Sequence, residues 1–176
     1  MTSDNPNSEE KAVNKDSFLY QMEVLKLEME EVAKIVARMD DMAQATKNWS
    51  ISIWTGSLVI ALSQPEYRQF IIATAVAPLL FLYIDSSFRR IQRRSIFRGR
   101  KISEFLNSPR LAESFEKNRL IDFVLYDVTG SQYRKLKEYK TFVSQKRTFL
   151  FPEVGVFYSV LAFISIALGA FFLFVP

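Results

Sequence analysis

Val154–Pro176 reads VGVFYSVLAFISIALGAFFLFVP, 23 residues without a charged side chain. At 1.5 Å rise per residue, about 20 helical residues cover the roughly 30 Å of bilayer hydrocarbon. The stretch therefore has the length of a membrane span. Fourteen of its residues are Val, Leu, Ile or Phe. At about −0.3 to −0.6 kcal/mol each they favour insertion by roughly −4 to −8 kcal/mol, less a loss at Ser159, Ser165 and the glycines. Lipid is the expected solvent for this part of the chain.

Two shorter apolar runs lie upstream. Residues 48–65 carry no charge, but Ser50, Ser52, Thr55, Gly56, Ser57 and Ser63 dilute Ile51, Ile53, Leu58, Val59, Ile60 and Leu62. Trp49 and Trp54 suit a membrane interface. Residues 69–84, QFIIATAVAPLLFLYI, form the second run. Pro78 removes a backbone donor and predicts a bend near Thr74. The link SQPEYR is tight, with Pro65 as breaker, so 48–84 reads as a transmembrane hairpin. Both runs are under 20 residues, which calls for a thinned bilayer or an oligomer around them. The competing reading is a buried core hairpin of a soluble domain.

Arg89, Arg90, Arg93, Arg94, Arg98, Arg100 and Lys101 place seven cations within 13 residues just after the hairpin. Cationic flanks stay cytoplasmic. This predicts an N-terminus inside, a cytoplasmic segment 85–153 and a C-terminus outside, in a multi-pass protein of the bacterial inner membrane. As a site, the cluster reads first as a topology anchor on anionic headgroups, at about 1 kcal/mol per cation. The alternatives are a phosphorylated ligand, nucleic acid, or the acidic arm of another subunit. No Gly-rich phosphate loop or nucleic-acid motif accompanies the charge, so nucleic acid is not expected.

Residues 1–15 are polar and read as disordered, and 16–47 as a coiled-coil-like helix. Phe18, Met22, Leu25, Met29, Val32, Val36, Met39 and Ala43 recur at 4-3 spacing, the seam of a coiled coil. The seam fits self-association through Met22, Leu25, Met29, Val32, Val36 and Met39, or a helix packed on its own protein. Between seam positions stand charges such as Glu23, Lys26, Glu30 and Glu31. Net charge is −4 over residues 1–47 and +8 over 85–153, so the overall +4 joins an acidic arm to a basic middle.

Within 85–153, ISEFLN continues the basic helix. Ser108-Pro109 fits a cap followed by proline at the first helical position, with a helix to about Leu120. IDFVLYDV is either a short strand or an apolar turn. A basic helix is expected from Gln132 to about Lys146.

The chain has no Cys and no His. Disulfides, thiolate nucleophiles and Cys- or His-ligated metals are excluded, and no cofactor is expected. Asp122 with Asp127, or Ser131 near Lys135, lack an accompanying base or oxyanion device, and no enzyme is expected. Asp85 stands at the inner mouth of the second run, where an ionisable group needs a partner. Arg89, one turn on, is the natural one. Small residues form stripes on the apolar runs: Ser52 and Gly56; Ala73 and Ala77; Gly155, Ser159, Ala162 and Gly169. Such spacing packs helices closely in lipid, within one subunit or between subunits.

Lys47-Asn48-Trp49-Ser50, Leu80-Phe81 with Asp85, Arg89, Gln92-Arg93-Arg94, Phe97-Arg98, Ile102 and Phe105-Leu106-Asn107 form a string over residues 20–107. It resembles a group of small uncharacterised bacterial inner-membrane proteins with a Lys-x-Trp start and an aromatic-x-x-x-Asp exit. The arm, hairpin and basic helix are also similar in layout to membrane effectors of bacterial conflict systems, although the simplest of those have two spans. The group implies no activity; the heptad seam, the short hydroxyl-rich hairpin and the small-residue stripes predict a non-enzymatic, homo-oligomeric membrane protein, a pore-forming or membrane-perturbing effector in defence. The alternative is a membrane-anchored scaffold or regulator whose basic segment recruits a cytoplasmic protein partner or anionic lipid. The expected architecture is an all-α integral membrane protein with three spans.

Overall fold

The computed structural model describes residues 6–174; the first five residues of the expected disordered arm lie outside it, as do Val175 and Pro176. Every regular element among the described residues is helical. Helix α1 is Pro6–Ser63. Two 3-10 turns follow, Pro65–Phe70 and Ile72–Ala75. Then come α2 (Val76–Leu106), α3 (Pro109–Lys117), a 3-10 turn (Ser131–Tyr133), α4 (Lys137–Phe142) and α5 (Gln145–Phe149). A π turn, Pro152–Val156, opens into α6 (Phe157–Phe174).

Several boundaries differ from expectation. Helix α1 begins at Pro6 rather than Asp16. Proline suits a first helical position. Pro78 bends nothing, because α2 starts only at Val76. In a first turn the missing N–H has no partner to lose. Residues 69–75 turn in 3-10 geometry instead. Ser108 is the extended N-cap of α3 with Pro109 behind it, and α3 stops at Lys117 on a left-handed Asn118. Residues 121–128 form neither strand nor helix. The basic helix expected to Lys146 is instead a 3-10 turn followed by two short helices broken near Val143.

Two stretches are long and apolar enough to cross a membrane, Ile72–Leu106 and Lys137–Phe174. The expected span at 48–65 falls short of that apolarity. Its hydroxyls and glycine are the reason, and its helix ends at Ser63.

The chain divides into two compact units: Met1–Val36 with Arg94–Tyr139, and Ala37–Arg93 with Lys140–Pro176. In the first unit, Leu25 of α1 meets Ile102 and Phe105 of α2, and Met22, Leu111, Leu120, Phe123 and Leu125 close around them. Phe18 stands edge-on to Phe115 at 5.0 Å, and Phe105 stacks on Phe123 at 4.5 Å. Phe97 is enclosed by Tyr133 and Tyr139. In the second unit, α6 packs against the two 3-10 turns. Gly169 permits this: a Cβ there would stand 2.3 Å from Ile72 Cγ1 and 3.1 Å from its backbone nitrogen.

Candidate functional site

The second unit buries several hydrogen-bonded polar groups among apolar residues such as Ile71, Val154 and Ala162. The Trp54 indole N–H donates to Ser165 Oγ at 2.7 Å. The Thr74 hydroxyl hydrogen-bonds the same oxygen at 2.9 Å and lies 2.7 Å from the Ile71 carbonyl. Nearer the cationic end, Asp85 is fully buried and accepts a hydrogen bond from the Tyr158 hydroxyl at 3.2 Å. The expected Asp85–Arg89 pair exists but is long, 3.9 Å from Oδ1 to Nε. Arg89 makes its short bonds elsewhere, to Asp40 Oδ1 at 2.5 Å and Gln92 Oε1 at 3.0 Å, with Glu153 at 3.8 Å. One guanidinium thus ties α1, α2 and the π turn. Tyr158, Ala162, Ser165 and Gly169 are the buried face of α6, spaced four, three and four apart, as one helical stripe requires.

Outside, the same unit carries many apolar side chains besides charges such as Asp40, Glu66, Lys146 and Glu153. Trp49, Val59, Ile60, Leu80, Tyr83, Leu150, Phe163, Phe171 and Phe174 are all exposed. The small-residue stripes are split by this division. Ala162 and Gly169 pack inside the chain, and Ala77 and Gly155 are half-buried. Ser52, Gly56, Ala73 and Ser159 are exposed. Nothing lies within 4 Å of a Cβ built on Gly56.

The expected cationic cluster is divided between the units, Arg89, Arg90 and Arg93 in the second and the rest in the first, where three of four cations are consumed by internal pairing. Arg98 is fully buried against Glu28. Its Nε donates to Glu28 Oε1 at 2.7 Å and its Nη2 to Oε2 at 2.9 Å. It also donates to the Val124 carbonyl at 2.6 Å and to the Tyr133 hydroxyl at 2.9 Å. The Glu28 carboxylate accepts two more bonds, from the backbone N–H of Tyr126 (2.7 Å) and of Asp127 (2.9 Å). A buried charge pair is tolerable only when its remaining hydrogen-bonding capacity is filled in this way. Arg100 and Lys101 pair with Glu104 and Glu138. Arg90 and Arg94 are half-buried.

The pair holds a segment in unusual backbone. Asn118, Asp122 and Tyr126 have φ of 48°, 50° and 59°, and Gly130 of 61°. A left-handed bulky residue such as Tyr126 costs about 1 kcal/mol or more and persists only where its surroundings fix it. Here the Glu28 carboxylate does so.

The other sequence candidates have structural tasks. Asp127 accepts from the Ser131 N–H and hydroxyl and from the Gln132 N–H, capping the 3-10 turn. Burial pushes its carboxyl up, but those bonds, helped by the Arg98 charge, outweigh it and hold the group below its ordinary value. Along the expected oligomer seam, Leu25, Val32 and Met39 are buried within the chain, Met22 and Val36 are half-buried, and Met29 is 43% exposed. The seam is therefore spent mainly on the protein's own packing, and only Met29 faces outward.

Glu28 is the principal residue that the heptad reading passed over. It stands three after Leu25 and four before Val32, on their face of the helix, and that spacing was the available signal. The chain matches no protein-family model, no curated protein and no solved structure.

Proposed function

We propose that the chain is a non-enzymatic, homo-oligomeric protein of the bacterial inner membrane that perturbs the bilayer, as a defence effector would. In this reading residues 48–63 form a third, short membrane segment beside the two longer ones, with the Arg-rich end of α2 in the cytoplasm. The observation that carries the reading is the exposed face of Ser52, Thr55 and Gly56 among the apolar side chains of that exterior. Hydroxyls and glycine gain little from lipid tails but allow two helices to approach closely. Sixteen helical residues cover about 24 Å against roughly 30 Å of hydrocarbon, so a ring of such segments would thin the bilayer.

The chain has no cysteine, so Gly56→Cys introduces a single thiol. Oxidation in native membranes should give a disulfide-linked dimer from Gly56→Cys and none from Ile84→Cys on the lipid-facing side of α2. Absence of the Gly56→Cys dimer would end the oligomer reading.

A second reading is a membrane-anchored scaffold, favoured by the exposed Val124 and Tyr126 in the segment held by Glu28. Two apolar side chains presented on a fixed backbone suit a cytoplasmic protein partner. Dye uptake on overexpression separates the two: the effector admits dye and the scaffold does not.

A further inference from the structure

A second apolar region of the membrane unit has charge at one end. Between α5 and α6 runs an open groove of about 590 Å³, lined by Phe149, Leu150, Val156, Ser159, Val160 and Phe163 among others. It exists because Gly155 lets the π turn close on α5: a Cβ there would meet the Phe149 carbonyl oxygen at 2.3 Å. Leu150 is 80% exposed and Phe163 69%, so the groove continues into the lipid-facing exterior.

The chain that leads into Phe149 carries Lys146 and Arg147 in α5. Arg93 of α2 touches Phe142 and Phe151, the residues on either side of α5. Arg93 is held in place rather than neutralised. Its Nε donates to the Phe142 carbonyl at 2.5 Å, and its guanidinium lies 4.2 Å from the Phe142 ring and 4.8 Å from the Phe151 ring. Among the described residues, none of the three cations has a salt bridge to a carboxylate. The acid nearest Lys146 and Arg147 in sequence, Glu153, lies 3.8 Å from Arg89 instead. A fixed Arg93 without a carboxylate, touching the segment that carries the exposed Lys146 and Arg147, calls for an anion. An apolar groove beside them calls for a chain of hydrocarbon attached to it.

We propose that this place binds one anionic phospholipid, with its phosphate on Arg93, Arg147 and Lys146 and an acyl chain along Val156, Val160 and Phe163. The inference rests on the membrane reading but not on oligomerisation.

The test uses the full chain, purified in detergent and given equal amounts of phosphatidylglycerol and phosphatidylcholine, with retained lipid weighed by native mass spectrometry. The wild type should keep one phosphatidylglycerol in preference to phosphatidylcholine. At about tenfold per 1.4 kcal/mol and about 1 kcal/mol per cation, the pair Lys146→Gln and Arg147→Gln should lower that preference about thirtyfold. Arg110→Gln with Arg119→Gln, the same charge change in the first unit, should leave it unaltered. Val160→Trp, which fills the groove, should also lose the lipid. An unchanged preference in Lys146→Gln/Arg147→Gln, or an equal fall in the control pair, overturns the site. Displacement of the lipid by equimolar glycerol phosphate overturns the lipid assignment in favour of a free phosphate. A protein that stays folded and dissolved without detergent overturns the membrane reading itself, a separate result.

Discussion

In the first unit, Leu25, Ile102 and Phe105 lie inside and the lysines and glutamates of α2 to α4 lie outside. In the second unit, Trp54, Thr74, Asp85, Tyr158 and Ser165 face inward while Val59, Leu80, Phe163 and Phe174 face outward. Water rewards the first arrangement, because apolar area is worth roughly 25 cal/mol per Å² when removed from it. Lipid, the solvent proposed for the second unit, gives no such reward, and helices in it are joined by hydrogen bonds and close backbone approach. On the function proposed above, the second unit is ordered for lipid and the first for water, within one chain whose helices α1 and α2 contribute to both.

The comparison can be broken from either side. The largest effect is expected in the first unit, at Glu28→Ala. It would leave Arg98 buried without its carboxylate, together with two backbone donors, and should cost about 3–5 kcal/mol. A thermal melt in detergent followed by circular dichroism measures this. Replacing Glu28 and Arg98 together by Met should cost less than Glu28→Ala alone, and a double variant that melts lower would remove the pair from its central place.

Next comes a test of the solvent itself. Phe163→Arg places a cation on the exterior of α6, where lipid is expected, and should disfavour insertion by about 2.5–3.5 kcal/mol. Val124→Arg makes the same change at an exposed apolar residue of the first unit and should stay within about 0.5 kcal/mol. Membrane fractionation of both variants should show Phe163→Arg alone depleted; equal recovery would mean that the exteriors do not differ.

A smaller effect is expected at Ser165→Ala, which removes the oxygen that receives Trp54 and Thr74. Interhelical hydrogen bonds in membranes average about 0.6 kcal/mol and reach about 1.7. Unfolding in mixed detergent should show a loss in that range, with the change in Trp fluorescence reporting on Trp54.

Smallest is the pH response of Asp127. Its folded pKa lies below its ordinary value of 3.8, so it stabilises the first unit above that value. The contribution is lost as pH falls from there through the folded pKa. Melts at about pH 5 and about pH 3 should differ less in Asp127→Asn than in the wild type. An identical slope would show that the cap carries no charge-dependent stability.

Much of the helical layout could be read from local patterns. The uncharged run at 157–174, the apolar start of α2 continuing into its basic half, and the Ser108-Pro109 start of α3 each carry their own signal. What escaped reading depends on distant partners or unusual backbone. Glu28 looks like another flanking charge until Arg98 arrives 70 residues later. Residues 118–130 defeat periodicity because a left-handed residue recurs at every fourth position. On α6 the polar stripe of Tyr158 and Ser165 was obscured by counting only small residues. The heptad seam was visible, but spacing cannot say whether its partner is the same chain or another one.

The interleaving of the units has a consequence for biosynthesis. At about 5–20 residues per second, the ribosome needs roughly 4–14 s to go from Glu28 to Arg98. The whole hairpin region emerges in that interval. Until then the Glu28 carboxylate has no guanidinium and must remain hydrated, so the first unit cannot close before residues 37–93 of the second unit have been made. The first unit is thus closed late, by residues that follow the second unit's first half, and until then Glu28 and the apolar face of α1 around Leu25 stand open to proteolysis.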